Sequence, residues 1–250
     1  MNVAILLYGQ PRDYRKGYST IMEFIKRNSS CKFDFFYHIW KINENETYKH
    51  SPLRNLDKST LTYNNSMIEE LNEMYHPLSY EIENQSTISF NNSFYKNTIA
   101  FHNTRGLSLT NIDNILYNLY SKNKSRNLLN EHLKNNPSKY DSVICVRFDI
   151  NTIPEVILDE KNKDYVHLSN CHLPRKIFAD NFVISPTDIF LKWFNFFEYF
   201  KFILDNKILE STINQLNEKL LINAEELLFA SYIFHYKNTD KILYFQGGRI

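Results

Sequence analysis

Tyr140-Asp141-Ser142-Val143-Ile144-Cys145-Val146-Arg147-Phe148-Asp149-Ile150 decides how the rest of the chain is read. Ser142 to Val146 is a short apolar run with two valines and an isoleucine, entered from Asn135-Asn136-Pro137-Ser138. A run of that length, rich in β-branched residues, predicts a buried strand. Arg147 and Asp149 stand at its carboxyl end. Ligands of open α/β sheets bind at that end, and positions two apart on a strand point the same way, so one ligand can meet both charges. An ion pair capping the strand is the plainer reading of the same Arg-x-Asp, and it stays open at this point.

Upstream, Val3 to Tyr8 is a continuous apolar run closed by Gly9-Gln10-Pro11-Arg12, the pattern of a buried first strand and the loop at its carboxyl end. Asp13 is the expected cap of a helix whose Tyr18, Ile21, Met22 and Ile25 recur at i, i+3, i+4 and i+7. Phe33 to Trp40 predicts a second strand, with His38 and Trp40 on one side near its end. Packing is the ordinary fate of such a pair, and ligand contact the alternative. Ser66 and Glu69 suggest a capping box for a short helix with the stripe Met67, Leu71, Met74 and Tyr75, stopped by Pro77. Leu78 to Ile82 follows as a third strand. Residues 41–65 and 86–106 are polar excursions, the second suited to a loop over the ligand end of the sheet. Ile112, Ile115, Leu116, Leu119, Leu128, Leu129 and Leu133 then outline a long or interrupted helix.

Downstream, Tyr165 to Leu168 and Phe182 to Ile184 are short strands. Ser185-Pro186-Thr187-Asp188 predicts a helix start with Ser as cap, Pro at the first helical position and Asp three residues after the cap. Its Phe190, Phe194, Phe197 and Leu204 face a core. Trp193, Phe196 and Phe200 widen that stripe, which keeps peripheral membrane contact as an alternative. Lys192, Asn195, Glu198 and Lys201 interrupt it and favour packing. In the last clear helix Asn223 and Glu226 can close a capping box, which leaves Glu225 without a local role. Leu243 to Gly247 reads as native terminal structure.

The totals bound the options. A chain of 250 residues can form one large domain or two small ones, and a single domain over residues 1–250 is the expectation. Lys and Arg number 29 against 28 Asp and Glu, with no basic run, which argues against nucleic acid as a partner. Cys31, Cys145 and Cys171 match no metal spacing and leave an odd thiol, fitting a reducing cytoplasm. The amino terminus reads as a strand instead of a signal peptide, and no apolar run has membrane-spanning length. Glycine-rich phosphate loops, Gly-x-Ser-x-Gly and His-Glu-x-x-His are missing from the sequence.

Taken in order, Gly9-Gln10-Pro11-Arg12, the block Phe33 to Trp40, Tyr140-Asp141 through Arg147-Phe148-Asp149, Asp180-Asn181-Phe182-Val183-Ile184-Ser185 and Glu225-Glu226-Leu227-Leu228 resemble a known pattern. It is that of the small GT-A-type glycosyltransferases of bacterial and large-virus surface-glycan loci (capsule or lipooligosaccharide). The resemblance implies one Rossmann-like α/β domain with a mostly parallel sheet flanked by helices. It implies a transferase that moves a sugar from a nucleotide-sugar donor to a glycan or lipid-linked glycan acceptor, in the cytoplasm or at the inner face of the membrane. Donor contacts would come from Gly9, Gln10, Arg12, His38, Arg147 and Asp149, and Asp180 and Glu225 are the candidate catalytic carboxylates.

In that family an Asp-x-Asp-type motif holds a divalent cation on the donor diphosphate. Here Arg147 replaces the first acidic residue. Two chemistries follow: Asp149 binds Mg²⁺ or Mn²⁺, or Arg147 itself pairs bidentately with the diphosphate and supplies part of the metal's charge. A sugar-phosphate transferase or nucleotidyltransferase on a similar sheet, and a non-catalytic nucleotide-sugar-binding domain, remain the alternative functions.

Overall fold

The apolar run at the amino terminus becomes strand β1 (Asn2–Gly9), whose interior is wholly buried. The computed structural model describes residues 1–48, 61–90, 112–137, 139–172, 177–193 and 242–246. Helix α1 (Tyr14–Arg27) follows β1, then β2 (Lys32–Lys41), α2 (Asn65–Tyr75), β3 (Ser79–Asn84) and α3 (Ile112–Asn135). Next come β4 (Ser142–Arg147), β5 (Val166–His172), β6 (Ile177–Pro186), α4 (Thr187–Trp193) and β7 (Ile242–Gln246).

Among the described residues these seven strands form one sheet in the order β3-β2-β1-β4-β6-β5-β7. β1 pairs in parallel with β2 and β4, β2 with β3, and β5 with β7, while β6 runs antiparallel to β4 and β5. The fold is therefore α/β with a largely parallel sheet, as the sequence implied. β7 includes Leu243 to Gln246 of the stretch read as native terminal structure.

Helices cover both faces, which is why β1 and β4 are continuously apolar instead of alternating. Val3, Ile5, Leu7, Tyr37, Ile39, Ile144, Val146, Phe182 and Ile184 share one core with Tyr14, Ile21 and Phe24 of α1 and Met67, Leu71 and Tyr75 of α2. The opposite side chains meet α3: Phe36 packs on His132, Trp40 on Tyr117 and Tyr120, and the Lys122 ammonium lies 4.9 Å from the Tyr8 ring centre.

Several local expectations shift. Asp13 occupies the cap position of α1 but in the left-handed region (φ 47°) and without a side-chain cap bond. The buried line of α1 runs through Tyr14, Gly17, Ile21 and Phe24, so Tyr18, Met22 and Ile25 only flank the core. The cap of α2 is Asn64, whose side chain accepts from the Met67 amide, while the Ser66 hydroxyl donates to Asn64. Asn is as good an N-cap as Ser, and it lies two residues earlier. The α3 helix is unbroken through residue 135. β6 extends through Pro186, with Ser185 paired to Val143, so α4 starts at Thr187 and Pro186 precedes it. Phe194, Phe196, Phe197, Phe200 and Leu204 lie outside the described residues, as do Asn223, Glu225 and Glu226. Cys31 and Cys145 are buried in the core.

Two glycines fix how the first loop meets the sheet. Gly9 ends β1 at φ +97°, a conformation that L side chains resist. Gly17 faces a different constraint: a Cβ there would fall 1.8 Å from the carbonyl oxygen of Phe148. Helix α1 can lie against the turn after β4 only because this position has no side chain.

Candidate functional site

Chain order places β2 and β3 on one side of β1 and β4 on the other, so the sheet reverses its winding between β1 and β4. Crevices at such a switch point, beyond the carboxyl ends of the strands, are where open α/β sheets bind ligands. The loop after β1 carries Gly9, Gln10 and Arg12, and the turn after β4 carries Phe148 and Asp149. The Ile150 amide donates to the Arg147 carbonyl and closes that turn.

The two loops meet through charge. Arg147 grips Asp149 with two bonds, Nε to Oδ1 at 2.8 Å and Nη2 to Oδ2 at 2.6 Å. Arg12 Nη2 lies 3.2 Å from the same Oδ2. The pair within the 147–149 turn was legible in sequence as a strand cap. The third member could not be, because it arrives from the other loop. Arg12, Arg147 and Asp149 keep side-chain exposures of 16%, 19% and 10%, enough to meet a ligand but little enough for their charges to be weakly screened. Burial alone would raise the Asp149 pKa. The Arg147 and Arg12 guanidiniums outweigh it and hold the carboxyl below its ordinary range. Within the triad two guanidiniums share one carboxylate.

Asp149 does not fit the divalent cation considered from the sequence. Both its oxygens accept from guanidinium groups, and a cation bound there would sit beside two fixed positive charges. Among the described residues no three His, Cys, Asp or Glu side chains come together to hold a metal ion. A hard divalent cation needs several oxygen ligands at once.

Other expected donor contacts turn inward. The Gly9 amide donates to the Ser121 hydroxyl at 2.8 Å, and the Gln10 side-chain amide donates to Gln85 at 2.6 Å. Both residues shape the first loop, and the one N–H of Gly9 is already used. His38 was expected at the donor but is fully buried. Its Nδ1 lies 2.7 Å from Ser121 Oγ and its Nε2 2.8 Å from Glu83. Burial lowers its pKa, partly offset by Glu83, so the ring is neutral near pH 7. It packs edge-on against Trp40, on the same side of β2, as the strand alternation predicted.

Sequence reading missed two kinds of residue. On α3, Ser121, Lys122, Asn123 and Ser125 are buried although they are polar, and a polar run inside an otherwise apolar helical pattern is the signal that could have marked them. Asn181, on β6, is next to Phe182, whose pairing with Val146 comes just before Arg147. It is 6% exposed, and its Oδ1 is buried without a hydrogen-bond partner. An orphaned acceptor is unusual, since most buried polar atoms are satisfied. Asp180 precedes it on the same strand, and Glu225 is outside the described residues.

No helix among the described residues is long and apolar enough to cross a membrane. No protein-family model matches the chain, and no curated protein matches it. Among solved structures it is similar to a glycosyltransferase involved in the glycosylation of the major capsid of PBCV-1, with a TM-score of 0.35 and 9% identity over 98% of this chain and 82% of that one. It is similar to the galactosyltransferase LgtC in complex with donor and acceptor sugar analogues, with a TM-score of 0.38 and 9% identity over 98% of this chain and 73% of that one. An active-site glutamine-to-glutamate variant of LgtC gives a TM-score of 0.37 and 9% identity, covering 98% and 72%. All three are glycosyltransferases, at a likeness too low to assign this chain's chemistry, which has to come from its own residues.

Proposed function

We propose that this chain is a single-domain glycosyltransferase that moves a sugar from a nucleotide-sugar donor to a glycan or lipid-linked glycan acceptor, in the biosynthesis of a surface polysaccharide. The observation that carries the reading is the convergence of Arg12 and Arg147 on Asp149 at the switch point of the sheet. Glycosyl transfer from such a donor leaves a nucleoside diphosphate, whose growing negative charge has to be stabilised. Guanidiniums do this well: they are always charged, and their fork matches a phosphate bidentately. Asp149 holds both in place before the ligand arrives, which spares ordering cost on binding. The sequence blocks that resemble surface-glycan glycosyltransferases point to the same donor class.

In this reading the donor diphosphate lies on Arg12 and Arg147 and takes its counter-charge from them instead of from a divalent cation. The Asn181 carbonyl accepts from a hydroxyl of the bound donor, which would satisfy its orphaned oxygen. Asp180 and Glu225 are the candidates to orient or deprotonate the acceptor hydroxyl. Work at the inner face of the membrane, on a lipid-linked acceptor, is part of the same proposal.

Thermal shift and calorimetric titration with UDP-glucose, UDP-galactose, UDP-N-acetylglucosamine and GDP-mannose, each with and without EDTA, test it. One donor should bind, keep its affinity in EDTA, and lose it in Arg147→Ala. Release of nucleoside diphosphate on turnover supports glycosyl transfer. Release of nucleoside monophosphate would make the chain a sugar-phosphate transferase, and binding without turnover a binding domain.

A further inference from the structure

A run of hydrogen bonds, buried at its centre, ends on the loop that carries Arg12. The Gly9 amide can only donate, so Ser121 Oγ accepts from it at 2.8 Å. The Ser121 hydroxyl hydrogen then has His38 Nδ1 within 2.7 Å as its acceptor. An accepting Nδ1 puts the ring proton on Nε2, which donates to Glu83 Oε2 at 2.8 Å. Glu83 also accepts from the Tyr120 hydroxyl at 3.2 Å and lies 3.4 Å from the Lys124 ammonium. Each donor meets an acceptor with one assignment of protons: His38 neutral and Glu83 ionised.

His38 and Ser121 are both fully buried. Apolar residues of similar volume would fill this space without the desolvation cost of three polar groups. What the polar groups add is direction, since a satisfied buried network has one geometry and a packed apolar contact has several. The direction is spent on Gly9, at φ +97°, one residue before Gln10, whose side chain is tied to Gln85, and three before Arg12.

We propose that Glu83, His38 and Ser121 form a positioning relay that fixes the Gly9 amide, so that the first loop presents Arg12 to Asp149 and to a bound diphosphate. The inference rests on reading the triad as a diphosphate site. None of the three relay residues touches the ligand. A merely structural role would lower the melting temperature and leave the affinity of the folded protein alone.

The test is a double-mutant cycle between Ser121 and Arg12, read by calorimetry at a temperature where near-ultraviolet circular dichroism shows every variant folded. The probes are inorganic pyrophosphate and the four nucleotide-sugars above. Ser121→Ala should weaken binding about tenfold, the scale of one well-placed hydrogen bond, and Ser121→Thr, which keeps the hydroxyl, should restore it to within about threefold. Because the relay acts through Arg12, the Ser121→Ala/Arg12→Ala double variant should bind no more weakly than Arg12→Ala alone. Wild-type affinity in Ser121→Ala, or losses that multiply in the double variant, would overturn the relay. Should Ser121→Ala not fold, Glu83→Ala cuts the same relay at its partly exposed end, and unchanged affinity there overturns it equally. If the wild type binds pyrophosphate but no nucleotide-sugar, the donor reading falls while the pyrophosphate series still judges the relay. If it binds neither, both fall.

Discussion

Arg12 Nη2 lies 3.2 Å from Asp149 Oδ2, joining the loop after the first strand to the turn after the fourth. Asp149 is the hinge of this contact, because Arg147 holds the same carboxylate with two further bonds. Removing the carboxylate leaves two guanidiniums facing each other in a poorly solvated place. Asp149→Asn should therefore cost about 3 kcal/mol of stability, the scale for breaking one side of a buried pair. Chemical denaturation measures it, and a change below about 0.5 kcal/mol, the scale of a surface ion pair, would show that the triad is not rigid in solution.

Arg147→Lys keeps the charge and loses the fork. One ammonium cannot replace two parallel N–H bonds to Asp149, nor pair bidentately with a phosphate. Donor affinity should fall about tenfold or more, with a smaller loss of stability than in Arg147→Ala. Equal affinity in Arg147→Lys and wild type would mean that only the charge matters.

Gly17 tests the packing that brings the two loops together. A methyl group there meets the Phe148 carbonyl at 1.8 Å, a backbone atom that cannot step aside without moving the turn that bears Asp149. Gly17→Ala should cost about 1–3 kcal/mol, against the gain that Ala normally brings to a helix interior. It should weaken donor binding as well, since α1 and the Asp149 turn must separate. A stabilised Gly17→Ala with intact binding would show that the close approach is absent in solution.

Acid should destabilise the fold in two windows. The Asp149 pKa is depressed in the folded state because the pull of Arg147 and Arg12 outweighs burial, so its contribution is complete above the unfolded carboxylate pKa of about 4 and is lost as pH falls below that. The His38 pKa is depressed by burial, so stability falls as pH drops below about 6.5, the unfolded imidazole value, toward the lower folded one. Glu83 and Glu81 on β3, Lys124, Tyr120 and Ser121 on α3, and Trp40 on β2 surround that ring. His132 and His167 shift in the same direction, so the wild-type slope is shared. Subtracting the unfolding curve of His38→Gln from that of wild type between pH 5 and 7 isolates the His38 part. Parallel curves would place His38 in solvent.

Glu225 and Asp180 stand as catalytic candidates on the sequence resemblance. If Glu225 deprotonates the acceptor, Glu225→Gln should bind donor normally and turn over about a hundredfold more slowly, the usual scale for losing a general base. Glu226→Gln should cost about 1 kcal/mol or less, as a weakened cap. Initial rates and melting temperatures of both variants decide between them, and full activity in Glu225→Gln would pass the role to Asp180.

Three strands of the sheet and the charged ends of two of them were legible from local pattern alone, whereas the strand at Ile242–Gln246 was not. Val3 to Tyr8 and Ser142 to Val146 are apolar runs, and Phe33 to Trp40 an aromatic-rich one, each long enough to be a strand, too short for a helix and followed by polar or charged residues. Those patterns depend only on side-chain period and on the cost of burying polar groups, which are local properties. The Arg147–Asp149 pair was legible for the same reason, being two residues apart. The remaining features depend on which distant segments meet. Arg12 reaches Asp149 because β1 and β4 are neighbours in the sheet and Gly17 lets α1 approach Phe148. The same packing turns Asp149 from a candidate metal ligand into an arginine-bound carboxylate. His38 turns from a candidate ligand contact into a buried link to Ser121, because α3 covers that face of the sheet. Asn181 had no marked role in the sequence until the antiparallel pairing of β4 and β6 brought its strand beside Val146. A charge's surroundings fix its chemistry, and in this chain those surroundings are assembled from segments far apart in sequence.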